Sequence, residues 1–230
     1  MAHAFQGFSP ELFEFLRGLE RDNTKAYFDA HRDVYDRAYV APAREFVVAL
    51  GGELQARVSP GIQAEPKVNG SIFRINRDTR FSRDKTPYKP HLDMFFWEGE
   101  GRSRELPGFY LRLTPEVVHY GAGMHGFPKD RLDAYRQAVA DDARGAALED
   151  AIASVRAAGA TVGRGDAYKR VPRGYEAEGA RADLLRHGAL FAGEEAPLPD
   201  EVGGEAFVAW TADRMAPLAP VHRWLVQNIT

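Results

Sequence analysis

A change of hydrophobic period at Ser59-Pro60-Gly61 constrains this chain more than any other feature. Ahead of it, apolar residues recur at helical spacing. Ser9-Pro10-Glu11 combines an N-cap residue, a proline suited to the first helical position and an acid for the first turn. Leu12, Phe13, Phe15, Leu16 and Leu19 then define one helix face. Asp22 or Asn23 can cap a second helix carrying Tyr27, Phe28, His31, Val34 and Tyr35. Pro42 opens a third with Phe46, Val47, Leu50, Leu54 and Val58, in which Gly51-Gly52 weakens the middle.

Beyond the break the texture is that of strands. Residues 71–76, 92–97, 108–113 and 116–120 are short, rich in aromatic and β-branched types, and separated by turn signals. They read as an antiparallel sheet, with 98–107 as a connecting loop. Helical spacing returns after Pro128 (Leu132, Tyr135, Val139), again around residues 146–158 (Leu148, Ile152, Val155), briefly near 182–187, and over 200–229, where Pro217 and Pro220 predict a break. N-terminal helices, a central mainly antiparallel sheet and C-terminal helices make an α+β fold, read as one domain over residues 1–230.

The composition, 44% apolar and 27% charged, suits a folded globular chain rather than a disordered one. No apolar run approaches the roughly 20 residues that span a bilayer, so no membrane partner is expected. The N-terminus lacks the basic and apolar regions of a secretory signal, so a cytoplasmic location is expected. With no cysteine, disulfides, thiolate metal sites and cysteine nucleophiles are excluded.

Charge is unevenly placed. From Lys67 to Lys89 there are seven basic residues and two acids, a local +5 on a chain whose formal charge is −3, which leaves −8 elsewhere. Segment 74–89 concentrates it: Arg74, Arg77, Arg80, Arg83, Lys85 and Lys89, with Asp78 and Asp84 between them. It begins as a strand and must leave strand geometry near Asn76-Arg77, and Thr86-Pro87 forces an extended residue before the proline. Arg74, Arg77 and Arg80 recur every third residue, so a tight turn lets their guanidinium forks converge on phosphate or carboxylate oxygens. Asp78 and Asp84 can orient those forks, and Tyr88 can add a hydroxyl. Lys169 and Arg173, in a Pro/Gly-bounded loop, are candidate additions.

Three readings stand. The segment binds a small anionic ligand, such as phosphate or a carboxylate; it tracks the phosphates of a nucleic acid; or its arginines form a structural ion-pair network in a non-enzymatic scaffold. The compact patch on an otherwise acidic chain favours a small anion over a long polymer. No residue stands out as a nucleophile, and the catalytic residues are unassigned; were there a reaction, Tyr88 or Asp84 would be the proton-transfer candidates. Gly121-Ala-Gly123-Met-His-Gly126 matches GxGxxG, but no second strand ending in an acid follows, so it reads as a glycine-rich turn and no cofactor is expected. His91 and Asp93 share a strand face without an obvious third ligand, and no metal is expected.

The pattern Arg74-x-x-Arg77-Asp78-x-Arg80-Phe81-x-x-Asp84-Lys85-x-x-Tyr88-Lys89 resembles the signature of the family catalogued as domain of unknown function 2461, bacterial proteins of about this length found also as a region of longer fungal ones. The resemblance extends to Phe8-Ser9, Gly108-Phe109-Tyr110-Leu111, Gly121/Gly123, Pro172-Arg173-Gly174-Tyr175 and Asp183-Leu184-Leu185. Met124-His125 stands where that family usually has a tryptophan, and residues 176–180 lack its usual His-Pro pair. The resemblance implies an α+β fold and assigns no activity.

Overall fold

Residue types at the N-terminus set the first helices. In the computed structural model, which describes residues 4–165 and 167–230, α1 (Pro10–Arg21) starts at the expected proline, with Ser9 extended before it. Its Leu12, Leu16 and Leu19 are fully buried. The cap of α2 (Lys25–Ala30) is Thr24, whose hydroxyl accepts from Tyr27 N at 3.2 Å, rather than Asp22 or Asn23. One turn, α3 (Arg32–Val34), and a π-helical stretch over Tyr35–Val40 lead into α4 (Ala41–Arg57). Gly51 in α4 has a packing reason, because a Cβ there would collide with the Cβ of Ala64.

The sheet has six antiparallel strands in the order β1-β2-β3-β4-β6-β5: β1 (Ile62–Gln63), β2 (Leu92–Glu98), β3 (Gly108–Leu113), β4 (Val117–Met124), β5 (Thr161–Gly163) and β6 (Leu190–Pro197). β5 pairs with β6 through Thr161↔Gly193, Val162↔Ala192 and Gly163↔Phe191. Strands β2 and β3 fall where the sequence places them. Residues 71–76 do not form a regular strand. They make isolated bridges, Ile72 to Met94 and Asn76 to Tyr88. The expected strand at 116–120 runs on to Met124, and so passes through both Gly121 and Gly123. A Cβ at Gly121 would lie 2.8 Å from Ala192 O, and Gly123, at φ +134°, would drive one into the backbone at Leu190 and Phe191. These glycines let β4 lie close against β6; they are strand residues, not a turn, and the antiparallel pairing is not that of a dinucleotide fold.

The chain divides into two compact units. One comprises Met1–Phe96, Tyr110–His119 and Glu195–Asp213. Its core joins Phe8, Phe46 and Phe207, rings 5.3–6.1 Å apart, to Leu50, Leu54 and Phe96. The other comprises Trp97–Phe109, Tyr120–Glu194 and Arg214–Thr230. It holds α5 (Lys129–Ala140), α6 (Asp142–Ala157), α7 (Gly179–Leu184) and α9 (Ala219–Ile229), while α8 (Ala206–Met215) precedes the break expected at the prolines. Its core is organised on Tyr135, whose ring meets Trp224 edge-on at 5.9 Å and whose hydroxyl donates to Leu184 O at 3.1 Å. Trp224 Nε1 donates to Arg144 O at 2.7 Å. Among the described residues no helix is long and apolar enough to cross a membrane.

Candidate functional site

Segment 74–89 forms a short two-stranded arm in the first unit. Arg77 N donates to Pro87 O and Lys89 N to Ile75 O, each at 2.8 Å, around the Asn76–Tyr88 bridge. Its root is pinned by Asn23, which uses its amide as a strand would: Nδ2 donates to Tyr88 O at 3.0 Å, and Oδ1 accepts from Tyr88 N at 2.9 Å. The buried Tyr88 ring stacks on Phe28 at 4.5 Å. Alternation along the extended chain then turns Lys89 to the opposite side.

At the outer end of the arm the charges pair locally. Arg80 addresses Asp78 as a fork, Nε at 3.0 Å and Nη2 at 2.7 Å, while Arg80 N adds a third bond at 3.2 Å. The Arg80 side chain and N–H hold the Asp78 carboxyl well below the usual carboxylate range, and the charge of Arg74 acts in the same direction. Arg77 pairs with Asp84 and donates to Thr86 Oγ1 at 2.5 Å. The Thr86 N–H and hydroxyl, followed by Arg77, lower the Asp84 pKa to about 2. Lys85 Nζ donates to Thr79 O at 2.8 Å. Phe81 at the tip is 94% exposed, with the Arg80 guanidinium 5.8 Å from its ring centroid. Each carboxylate between these arginines lies against one of them, Asp78 on Arg80 and Asp84 on Arg77. As a carboxylate with so low a pKa, Asp84 is unsuited to exchanging protons near neutrality.

At the other end, Lys89 enters a cluster of which the sequence reveals only the His91–Asp93 pair, and not Tyr110 or Arg112. Asp93 on β2 is only 3% exposed. It accepts from Arg112 Nε at 2.7 Å, Arg112 Nη2 at 3.4 Å, the Tyr110 hydroxyl at 3.0 Å and Lys89 Nζ at 3.3 Å. His91 Nε2 stands 3.2 Å from Asp93 Oδ2, too poorly aligned for a hydrogen bond. Lys89 Nζ also lies 5.4 Å from the centre of the Phe73 ring, within range of a cation–π attraction. Strand alternation explains the gathering. Leu92, Met94 and Phe96 of β2 and Phe109, Leu111 and Leu113 of β3 are fully buried, so Asp93, Tyr110 and Arg112 occupy the other face.

Burial alone would raise the Asp93 pKa; His91 and Arg112 outweigh it and hold the carboxyl well below its ordinary range. Burial, with Asp93 beside it, pushes the Tyr110 hydroxyl up. Asp93 is thus a fixed carboxylate and Tyr110 a fixed donor, and neither moves a proton near neutral pH. Four donated hydrogen bonds fill the roughly four acceptor sites of one carboxylate. Arg112 commits two of its five N–H groups there and Lys89 one of its three. With Lys89 and Arg112 beside it, the His91–Asp93 pair is a poor site for a metal cation.

Of the other expected site residues, Arg74 is exposed, and Lys169 and Arg173 are exposed in the second unit, between β5 and α7. The alternation of Tyr110 and Arg112 between buried Phe109, Leu111 and Leu113 is the sequence signal that adds β3 to the strand face shared by His91 and Asp93.

No curated protein matches the chain. A family model, described as a conserved hypothetical protein (DUF2461), matches residues 11–224 of the 230. The match spans α1 to α9 and takes in the whole basic arm together with the Asp93 cluster, and this chain belongs to the DUF2461 family.

Proposed function

We propose that this protein binds a small anion, a phosphate or a carboxylate, at the base of the basic arm, with Lys89 and Arg112 as its principal charges. The observation that carries the reading is the surplus of donors at Asp93. Two cations, an imidazole and a hydroxyl surround one carboxylate whose acceptor sites are already filled. Arg112 is 36% exposed and Lys89 21%, so their remaining N–H groups can reach a ligand from solvent. Asp93 acts as the clamp that fixes both cations, in the way carboxylates pre-organise arginines for bidentate recognition. Arg74, Lys85 and the arm carrying Arg77 and Arg80 form the rim of the site. The same reading has the protein working in the cytoplasm.

Thermal unfolding in increasing sodium phosphate and sodium acetate tests this, with sodium chloride as the ionic-strength control. Ligand at ten times its dissociation constant stabilises by about 1.4 kcal/mol, or roughly 3–5 °C for a chain of this length. Wild type gains this shift in phosphate or acetate beyond chloride, and Arg112→Gln and Lys89→Met lose it. Equal shifts in all three proteins would sink the proposal.

A nucleic-acid reading is favoured by one observation, the exposed Phe81 beside Arg80 on a projecting basic arm. It predicts oligonucleotide binding that weakens steeply with salt and is lost in Phe81→Ser. The local pairs Arg77–Asp84 and Arg80–Asp78 favour a structural role for those two arginines. A scaffold built on them predicts no response to phosphate, acetate or oligonucleotide.

A further inference from the structure

The second unit contains a cleft of about 590 Å³ between α6, β5 and α7, within the range of small-molecule sites. Its walls mix the apolar Ile152 and Leu184 with the charged Glu149, Arg156, Arg164 and Asp183, and His187 lines it as well. The short helix α7 would be marginal alone, but Arg181 fastens it to α5 and α6. Nε donates to Glu149 Oε1 at 3.2 Å and Nη1 to Val139 O at 3.0 Å. Gly145 leaves the room this requires, since a Cβ there would meet the Arg181 guanidinium. The cleft is therefore held open by fixed elements.

His187 is the group that asks for a ligand. It is 5% exposed, and its Nδ1 is buried without a hydrogen-bond partner. Its Nε2 faces Asp183 Oδ2 at 3.7 Å, and Asp183 also takes Arg186 Nη2 at 2.5 Å and Arg164 Nη1 at 3.4 Å. Burial pushes the imidazole pKa down against the pull of Asp183. A neutral ring carries one proton, and the nitrogen facing the carboxylate keeps it. Nδ1 is then a bare acceptor, which is costly to leave unpaired in a buried place. Arg156 and Arg164, both on the cleft wall, supply positive charge, while the acids of the same wall are engaged by other arginines, Glu149 by Arg181 and Asp183 by Arg186.

We infer that this cleft binds a small oxyanion that also carries a hydroxyl, a hydroxy-carboxylate or a sugar phosphate, with the oxyanion on Arg156 and Arg164 and the hydroxyl donating to His187 Nδ1. Ile152 and Leu184 cover the carbon skeleton between the two ends. The site is independent of the Asp93 cluster and gives a place to Asp183-Leu184-Leu185, which the function proposed above leaves unused.

The test uses the full chain labelled with ¹⁵N-histidine, titrated with glycerol 3-phosphate, methyl phosphate, glycolate and acetate. Long-range ¹H–¹⁵N spectra report His187 Nδ1 directly, and His187→Gln assigns its resonance. A hydroxyl-bearing probe shifts Nδ1 and binds about tenfold more tightly than its hydroxyl-free counterpart, the effect of one hydrogen bond to a buried acceptor. Whether glycerol 3-phosphate or glycolate binds better separates phosphate from carboxylate ligands. Should His187→Gln fail to fold, Arg156→Gln and Arg164→Gln, at the cleft rim, still decide the matter by weakening binding severalfold. An Nδ1 resonance that none of the four probes moves overturns the inference. So does equal affinity for hydroxyl-bearing and hydroxyl-free probes, or a response unchanged in both arginine variants. Arg112→Gln leaves the His187 response intact while removing the phosphate shift of the first unit, so the two proposals fail separately.

Discussion

Replacing Asp93 by asparagine keeps the shape of the side chain and removes its charge, which leaves Lys89 and Arg112 facing each other without a counter-ion. Breaking a buried pair from one side costs about 3–5 kcal/mol. Here the carboxylate is buried, but Arg112 and Lys89 reach solvent and are partly screened, so the lower end applies and Asp93→Ala should lose about 3 kcal/mol. Asparagine retains one acceptor for Arg112 or Tyr110, which brings the loss to about 2 kcal/mol, or roughly 4–8 °C in melting temperature. The pH dependence has a definite sign. The native Asp93 pKa is depressed, so its contribution is complete above the unfolded value of about 4 and is lost as pH falls through the lower native value. The gap in urea midpoint between wild type and Asp93→Asn should hold steady from pH 7 to pH 5 and close below pH about 4. Adding Lys89→Met to Asp93→Asn should recover about 1 kcal/mol by removing one uncompensated cation. A loss under about 0.5 kcal/mol for Asp93→Asn, or a gap that does not narrow in acid, would refute the account of Asp93 as a buried clamp.

Asn23→Ala removes both amide bonds to Tyr88 and should cost about 1–3 kcal/mol; faster tryptic cleavage at the arm, with hydrogen exchange at Tyr88 N–H rising in parallel, is the check. Gly123→Ala strains a positive φ and meets the backbone at Leu190 and Phe191, so a loss of about 3 kcal/mol is expected, whereas Gly126→Ala, with open space around it, should stay within about 0.5 kcal/mol by urea unfolding. His222, fully buried with Nε2 2.8 Å from Glu98 Oε2, has its pKa lowered by burial despite that carboxylate. Its contribution to stability is therefore present above the unfolded value of about 6.5 and declines as pH falls below it, and an NMR titration showing His222 protonated at or above that value would contradict this.

Much of the fold is legible because helices and strands write different periods into the sequence. Leu12, Leu16 and Leu19, or Leu148, Ile152 and Val155, state a helix face whatever surrounds them. Each misreading has an identifiable cause. Asn23 and Thr24 are both competent caps, and the choice is settled by Tyr88, 65 residues away, which takes the Asn23 amide. Residues 71–76 have strand composition but only isolated bridges. β6 escapes notice because Gly193, Glu194 and Glu195 interrupt its apolar alternation. Gly121 and Gly123 look like a turn, yet they are there for the close approach of β6, which no local pattern announces.

The candidate site divides along the same line. Asp78 with Arg80 and Asp84 with Arg77 are pairs between near neighbours, and the charge pattern alone suggests them. Asp93 and Arg112 are 19 residues apart, and only strand register brings them together. In the sequence the two look unrelated: one acid in the apolar run Leu-Asp-Met-Phe-Phe-Trp, and one arginine between two leucines. Their placement has a consequence for the basic segment as a whole. Arg77 and Arg80 carry their own carboxylates, whereas Lys89 shares Asp93 with Arg112 and Tyr110 of β3. If the arginines alone made the site, charge removal at Arg80 should abolish phosphate stabilisation and removal at Arg112 should not. The donor surplus at Asp93 demands the reverse order, Arg112→Gln more damaging than Arg80→Gln, and that ranking distinguishes a ligand site at the base of the arm from one at its tip.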